Sequence, residues 1–241
     1  AGTTAAAVDD DGLSGGNPAS TAGDLDANLA GDSNVSEAIF TGTLVHNIGG
    51  DGYGSVTLAA MDGETAVVGT ETVTYDWSVN TLTATVTGGE RAGTGTDLFT
   101  VQVTPTTGAF TVTLLDNVLH TYNGVNTEND AGPLALTYTV ADADGSPANG
   151  TLNITFDDDM PSASGESQTL AEGATITGMF NFAQGADGAT VTHINTTTLV
   201  FDQEDDGYSQ PIDIGAGLLK VKTDGSYSFT ADEDGSGSSA S

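Results

Sequence analysis

Hydrophobic and polar residues alternate with a period of two in many short segments of this chain. In residues 73–79 the apolar side chains fall on odd positions, and in residues 82–86 they fall on even positions. Asn80 and Thr81 interrupt the pattern between them, so we predict two strands joined by a hairpin. Pro105 and Gly108 predict another turn. The same alternation predicts four further strands at residues 99–103, 110–114, 134–140 and 152–156.

No segment of useful length has the 3.6-residue periodicity of an amphipathic helix. The chain contains 33 glycines and many threonines and valines, whereas lysine, arginine and glutamate, which favour exposed helices, are scarce. Many short strands separated by Gly, Asp and Asn turns predict an all-β fold, either a β-sandwich or a β-barrel.

An internal repeat indicates two copies of one module. Residues 41–44 and 49–52 match residues 177–180 and 185–188 at a constant spacing of 136 residues. Three further matches keep the same order in both copies: residues 8–11 with 156–159, Val56-Thr57 with Val191-Thr192, and residues 108–112 with 225–229. Four matches in one order predict two modules joined by acidic linkers, at residues 1–157 and 158–241.

The second module is expected to be incomplete at its C-terminal end. Residues 134–140 and 152–156, the last strands of the first copy, have no counterpart before residue 241. A sandwich without two strands exposes its core and its sheet edges. Either the sequence given stops within the module, or the missing strands follow an insertion and the domain is split.

Charge restricts the partners of this protein. The chain has 34 acidic residues against three lysines and arginines, a formal net charge of −31. Such a surface repels nucleic acid phosphates and anionic lipids, so we expect neither as a partner. No apolar run is long enough to span a bilayer. Without cysteine, disulfides cannot stiffen the modules, which leaves core packing or bound cations. An acidic surface adapted to high salt is the alternative, and it predicts evenly scattered acids.

The acidic residues instead cluster at junctions and turns. Calcium takes oxygen ligands from carboxylates, carbonyls and water, and an Asp-x-Asp-Gly turn places two carboxylates on one side of a bend. We expect Asp157–Asp159 to meet the turn at Asp142 and Asp144, because both lie at strand ends of one module. Solvated turn residues are the alternative for each cluster. The candidate calcium ligands are Asp9, Asp10, Asp11, Asp142, Asp144, Asp157, Asp158, Asp159, Asp205, Asp206, Asp232 and Asp234.

No catalytic constellation stands out. His46, His120 and His193 are isolated in the sequence, and neither a Gly-x-Ser-x-Gly elbow nor a phosphate-binding loop occurs. Acidic pairs carry no information in so acidic a chain. Trp77 lies in an alternating strand, which favours a place in the core over a sugar-stacking platform. Arg91 is expected in an exposed loop. We therefore predict no enzymatic activity.

Two stretches carry a family resemblance. Residues 136–145, Leu-Thr-Tyr-Thr-Val-Ala-Asp-Ala-Asp-Gly, and residues 152–161, ending in Asp-Asp-Asp-Met-Pro, resemble the end of repeats in giant RTX adhesins exported by type I secretion. The related VCBS and cadherin-like repeats are similar. The resemblance implies tandem Ig-like β-sandwich modules with Greek-key-type antiparallel sheets, calcium at the linkers, and an extracellular location at the bacterial cell surface.

The resemblance also implies a monomer that contacts neighbouring modules of the same adhesin, with a surface glycan or peptide bound through an adjacent domain. The leading hypothesis is therefore a calcium-rigidified spacer or scaffold in cell adhesion or biofilm formation. A calcium-dependent module that itself recognises a carbohydrate or peptide is the second hypothesis. A hydrolase is the third, and it would require a concave site with a carboxylate of raised pKa.

Overall fold

The computed structural model describes residues 1–16, 36–91, 95–121, 131–159, 161–186, 188–201 and 206–233. The chain forms two compact units, one comprising Ala1–Met160 with Gly185–Asp187 and the other Pro161–Gln184 with Gly188–Ser241. The division thus falls after residue 160, three residues beyond the predicted boundary. No helix among the described residues is long and apolar enough to cross a membrane.

Ten strands form the described part of the first unit, together with two 3-10 turns at Asp10–Gly12 and Ala59–Met61. The strands are β1 (Thr3–Asp9), β2 (Ile39–Thr43), β3 (Tyr53–Thr57), β4 (Thr65–Val68), β5 (Glu71–Ser78), β6 (Thr81–Gly88), β7 (Asp97–Val103), β8 (Ala109–Leu114), β9 (Ala131–Asp142) and β10 (Pro147–Asp157). They make a six-stranded sheet of order β2-β8-β7-β6-β5-β4 and a four-stranded sheet of order β1-β10-β9-β3.

The two sheets of the first unit enclose one hydrophobic core. Strand β6 shows the principle, because Leu82, Ala84 and Val86 are buried while the threonines between them are not. The rings of Phe99 on β7 and Phe156 on β10 lie 5.3 Å apart, which joins the six-stranded sheet to the four-stranded one. The predicted all-β sandwich class is confirmed.

One strand pair departs from the antiparallel pattern. β1 runs parallel to β10, with Val8 opposite Phe156 and Asp9 opposite Asp157. Parallel neighbours need a long connection, and here the rest of the first unit, from β2 to β9, lies between them in sequence. The parallel pairing places the C-terminal ends of β1 and β10 side by side.

The predicted hairpin at residues 73–86 is confirmed. β5 and β6 pair antiparallel, with Ser78 opposite Thr81. Val79 and Asn80 form the connection with φ angles of 48° and 63°, the two positive values of a type I′ turn, which matches the twist of the flanking strands. The predicted turn at Pro105 and Gly108 joins β7 to β8, and Gly108 takes a φ of 68°.

Two sequence predictions concerned single side chains. Trp77 is partly buried and packs against the core of the first unit. The prediction for Arg91 was wrong, because its side chain is 15% exposed and forms an ion pair with Glu71, whose side chain has no exposed area. Trp77 lies on β5 opposite Leu82 of β6, whereas Arg91 follows β6. The carboxylate of Glu71, at the start of β5, draws the Arg91 guanidinium inwards.

The described part of the second unit contains eight short strands: β11 (Ser162–Ala163), β12 (Thr175–Met179), β13 (Phe182–Ala183), β14 (His193–Ile194), β15 (Thr197–Thr198), β16 (Ile212–Asp213), β17 (Gly217–Val221) and β18 (Ser226–Ala231). Four of them make an antiparallel sheet of order β12-β18-β17-β16, and β11-β13 and β14-β15 are two-stranded pairs. Its buried core is small: Leu199, Ile212, Leu219, Val221, Tyr227 and Phe229.

The second unit repeats one part of the first. β12, β18 and β17 pair as β2, β8 and β7 do, so that Gly178 faces Tyr227 where Gly42 faces Phe110. The main-chain bond from Leu44 N–H to Gly108 O, 2.9 Å, recurs from Phe180 N–H to Gly225 O, 3.0 Å. The two sequence copies thus fold into the same three-stranded arrangement.

Candidate metal centres

Six aspartates lie at the end of the four-stranded sheet where β1 and β10 finish. Asp9 and Asp157 are the last residues of the two parallel strands and face each other in register. The chain continues into Asp10 and Asp11 after β1, and into Asp158 and Asp159 after β10. We call residues 9–11 and 157–159 the triple-aspartate cluster. All six are buried, between 0% and 8% exposed.

Hydrogen bonds from the main chain fix the two halves of the cluster together. Asp10 Oδ1 accepts from Asp159 N–H at 2.8 Å, and Asp10 Oδ2 accepts from Val118 N–H at 3.3 Å. Asp9 Oδ1 accepts from Asp11 N–H at 3.1 Å, which caps the 3-10 turn that follows β1. The carboxylates are therefore held in defined positions by donors from three segments of the first unit.

Glu37 completes a set of ligands that one ion can bridge. A carboxylate oxygen from each of Asp9, Asp11 and Glu37 lies within 4.8 Å of the others. Oxygens bound to one calcium ion at about 2.4 Å are at most about 4.8 Å apart. Glu37 is placed by its own backbone, since Glu37 O accepts from Asp9 N–H at 2.9 Å. These three carboxylates therefore meet the distance condition for binding one calcium ion.

Charge makes a cation in the triple-aspartate cluster physically reasonable. Burying a carboxylate costs several kcal/mol unless an opposite charge or a proton compensates. The whole chain has only three lysines and arginines, and two of these, Lys220 and Lys222, belong to the second unit. His120 Nε2 lies 3.2 Å from Asp158 Oδ2. Side-chain cations are too few to neutralise six buried aspartates, so bound cations or protons have to supply the balance.

A second acidic group lies at the turn between β9 and β10. Carboxylate oxygens of Asp51, Asp142 and Asp144 lie within 4.8 Å of one another, and we call these residues the turn cluster. Ser146 N–H donates to Asp142 Oδ1 at 2.7 Å and to Asp144 Oδ1 at 3.2 Å. A hydrogen bond between the two carboxyl groups raises the pKa of Asp142 and lowers the pKa of Asp144. Asp51 and Asp144 are exposed. Water therefore solvates their charges, and no bound ion is needed to compensate for burial.

The predicted meeting of Asp157–Asp159 with Asp142 and Asp144 was wrong. The two groups lie at opposite ends of β10, an 11-residue strand, so about 30 Å separates them at about 3.3 Å per residue. Residues adjacent across a hairpin turn share one end of the strand pair, whereas residues at the far end of the second strand do not. Asp157–Asp159 meet Asp9–Asp11 instead.

The remaining predicted ligands lie apart from both clusters. Asp206 and Asp232 are exposed residues of the second unit. Asp206 takes a positive φ of 52° in a turn, which agrees with the alternative of a solvated turn residue. Asp205 and Asp234 lie outside the described residues.

Three residues at the clusters were not among the sequence-predicted ligands: Glu37 and His120, which lie beside the triple-aspartate cluster, and Asp51 of the turn cluster. Glu37 and His120 carry no local signal, because each lies in a separate loop and only the fold brings it to the triple-aspartate cluster. Asp51 does have a local signal, because it lies in Gly49-Gly50-Asp51-Gly52, which is one of the repeated segments. The recurrence of that loop in both copies was the available clue.

Comparison with known proteins gives one family. The model of a family described as "Domain of unknown function (DUF5801)" matches residues 5–155, which is nearly the whole first unit from β1 to β10. A search of curated proteins finds no match to the chain.

Proposed function

We propose, for a chain that belongs to the DUF5801 family, a non-catalytic role as a calcium-rigidified spacer or scaffold of a bacterial surface adhesin. In this proposal the protein is extracellular and monomeric, and it extends or presents a ligand-binding region in cell adhesion or biofilm formation. The observation that carries it is the burial of six aspartates in one cluster. A surface adapted only to salt keeps its acids in water, because each buried charge costs free energy.

The place of the cluster supports the spacer role. Asp157–Asp159 are the last described residues before the division at residue 160, and Asp159 N–H donates to Asp10 Oδ1 at 2.8 Å. Asp9–Asp11 are the matching segment of the first copy and contain two of the proposed ligands. An ion held by Asp9, Asp11 and Glu37 would therefore fix the segment to which Asp159 is bonded, in a chain without cysteine. Neighbouring modules of the same adhesin are the proposed partners.

Thermal unfolding with and without calcium tests the proposal. Trp77, the only tryptophan, packs against the core of the first unit, so its fluorescence reports that unit. With 5–10 mM calcium and an extracellular-type Kd of about 0.1–1 mM, each site adds about 1–3 kcal/mol to the free energy of unfolding. Small-angle scattering should show a larger maximum dimension in calcium. No change with excess chelator would mean that the cluster holds protons instead.

A pair of charge variants distinguishes calcium bound at the triple-aspartate cluster from a general effect of calcium on an acidic surface. Asp11→Asn removes one proposed ligand and should lower the calcium-dependent gain, while in chelator it should leave the first unit as stable or more stable because repulsion falls. Glu64→Gln is the matched control, since Glu64 is exposed on the same unit. An equal calcium response in both variants would show that the ions do not bind at the triple-aspartate cluster.

The second candidate function is a binding module, and an apolar pocket of the second unit favours it. The pocket measures about 390 Å³ and is lined by Phe180, Phe182, Val191 and Ile194, among others. This volume lies within the range of ligand sites. At the equivalent place of the first unit, Val56 has no exposed area, and its strand β3 pairs edge to edge with β9, where Val140 lies opposite it. The proposed ligand is therefore an extended peptide with alternating apolar residues.

A peptide of residues 134–140, which form part of β9, is a suitable probe of this pocket, because β9 is the strand beside Val56 in the first unit. Titration with a peptide of residues 134–140 should shift the NMR signals of Val191 and Phe180, and a scrambled peptide should not. Binding of glycans but not of the peptide would assign the pocket to carbohydrate instead.

A further inference from the structure

The segment that follows β8 crosses the first unit towards the triple-aspartate cluster. We call residues 115–120 the strap. At its start, Leu115 N–H and Asp116 N–H both donate to Leu98 O, at 2.9 and 3.3 Å. In its middle, Val118 is 3% exposed and belongs to the core. The strap is thus a fixed segment of the unit.

Arg91 is the only arginine of the chain and holds the middle of the strap. Its guanidinium makes a fork to Glu71, with Nε 2.9 Å from Oε1 and Nη2 3.0 Å from Oε2. Nη2 also donates to Asn117 O at 2.6 Å, and Nη1 lies 2.9 Å from Asp116 Oδ2. Glu71 has no exposed area, so the fork is anchored inside the protein. One side chain therefore ties β5 to the strap.

The far end of the strap reaches both halves of the triple-aspartate cluster. Val118 N–H donates to Asp10 Oδ2 at 3.3 Å, and His120 Nε2 lies 3.2 Å from Asp158 Oδ2. Leu119 O accepts from Thr70 N–H at 2.8 Å, which fixes the peptide unit between these two contacts. A shift of the strap would move the donor to Asp10 and the histidine beside Asp158 together.

We infer that Arg91 is a positioning residue of the triple-aspartate cluster, which sets the cation affinity of the cluster through the strap. The inference rests on the proposed function, because it concerns the same cation site. Arg91 holds Asn117, the adjacent Val118 N–H fixes Asp10, and Asp10 holds Asp159 N–H at 2.8 Å. Residues behind the ligands orient them in this way in other metal sites.

The direction in which Arg91→Gln changes the calcium affinity distinguishes a positioning role of Arg91 from an effect of its charge. If electrostatics alone acts, removing this cation from so acidic a protein raises the calcium affinity. If Arg91 positions the cluster, removing it lowers the calcium affinity. Isothermal titration with calcium should show Arg91→Gln binding about tenfold more weakly than wild type, in the range that loss of contacts behind the ligands costs. Lys222→Gln, the same charge change in the second unit, should bind as tightly as wild type or more tightly.

Two further variants keep the test decisive. Arg91→Lys retains the charge but cannot form the fork, so it should weaken binding nearly as much as Arg91→Gln. Glu71→Leu with Arg91→Met replaces the buried pair by apolar groups and keeps the fold. It should bind calcium weakly, and in metal-free protein the Val118 amide should exchange faster than in wild type.

The outcomes separate this inference from the proposed function. Wild-type protein that binds no calcium overturns both. Wild-type binding with equal affinity in Arg91→Gln and Lys222→Gln overturns the inference alone, as does unchanged exchange of the Val118 amide in the Glu71→Leu and Arg91→Met double variant. Folded protein is verified in each case by the fluorescence of Trp77.

Discussion

The two units share a three-stranded arrangement but differ in what covers it. In the first unit Leu44 and Val56 have no exposed area, and both belong to the core between the six-stranded and the four-stranded sheet. Their equivalents in the second unit, Phe180 and Val191, are partly exposed and line a pocket. The same local sequence pattern therefore forms the same three-stranded arrangement in both units, but only in the first unit does a second sheet close a core against it.

The acidic residues differ between the units in the same way. The six aspartates of the triple-aspartate cluster are buried in the first unit, whereas Asp206, Asp213 and Asp232 in the second are exposed. Burial needs a surrounding structure, and in the first unit β1, β10 and the strap supply it. An acidic run thus becomes a candidate metal centre only where strands converge on it.

The largest expected effect comes from truncating equivalent core positions. Leu44→Ala should lower the free energy of unfolding of the first unit by about 2–5 kcal/mol, because the site is fully enclosed. Phe180→Ala should lower that of the second unit by only about 1 kcal/mol, since less apolar area leaves the water on folding. Urea unfolding followed by Trp77 fluorescence and by exchange of the Val221 amide measures the two units. Equal losses would contradict the difference in closure.

The equivalent glycines Gly42 and Gly178 test the three-stranded arrangement that the two units share. A Cβ on Gly42 would lie 2.9 Å from Phe110 Cε1, and a Cβ on Gly178 would lie 2.6 Å from Tyr227 Cζ. Alanine at either position displaces the aromatic ring that covers the glycine, so each unit should lose about 1–3 kcal/mol.

The matched controls are Gly50→Ala and Gly165→Ala, where a Cβ meets nothing within 4 Å. Neither should lower the denaturant midpoint of its unit. A loss at Gly42 without a loss at Gly178 would mean that the ring of Tyr227 moves freely, and that the second copy is looser than its strand pairing indicates.

Two buried tyrosines, Tyr138 on β9 and Tyr75 on β5, test how much a buried hydroxyl group contributes to the stability of the first unit. Tyr138, on β9, donates its hydroxyl hydrogen to Gly2 O at 3.0 Å or to Val45 O and accepts from Gly2 N–H at 3.3 Å. Tyr138→Phe should therefore cost the first unit about 1–2 kcal/mol. The Tyr75 hydroxyl is buried and has no hydrogen-bond partner among the described residues, so Tyr75→Phe should be neutral or stabilising.

Alkaline pH gives an independent check on Tyr75. Burial raises the pKa of Tyr75 above its ordinary value of 10.0, so the folded state favours the protonated hydroxyl. The stability that this preference gives is fully present below pH 10, and it is lost as the pH rises above that value. Wild type should lose more stability than Tyr75→Phe in that range. Equal losses in the two proteins would show that the hydroxyl ionises as readily in the folded state as in the unfolded chain.

The smallest expected effect concerns the hairpin of β5 and β6, which belongs to the first unit. Val79 is 90% exposed and holds a φ of 48°, a conformation that a β-branched residue disfavours. Replacing Val79 and Asn80 by Asn and Gly supplies the preferred type I′ residues and should stabilise this unit by about 1 kcal/mol. Val67→Asn, an exposed strand position, should not stabilise. A destabilised turn variant would mean that Val79 packs on something in solution.

Local pattern in the sequence determined a large part of this protein. Alternation marked six strands of the first unit, β5 to β10, including the hairpin at residues 73–86, and the composition indicated the all-β class. The internal repeat identified the segments that form β2, β8, β12 and β18 in the structure. These features depend on neighbours within a few residues, because side-chain alternation and turn preference are properties of a short stretch of backbone.

Only the tertiary structure decided where the acidic runs meet. Asp9–Asp11 join Asp157–Asp159, and not Asp142 and Asp144, because β1 pairs parallel with β10. Glu37 and His120 reach the same place from separate loops, and Arg91 lies against buried Glu71. Contacts between residues far apart in sequence depend on which strands become neighbours, and that choice comes from packing one sheet on another, which no local pattern encodes.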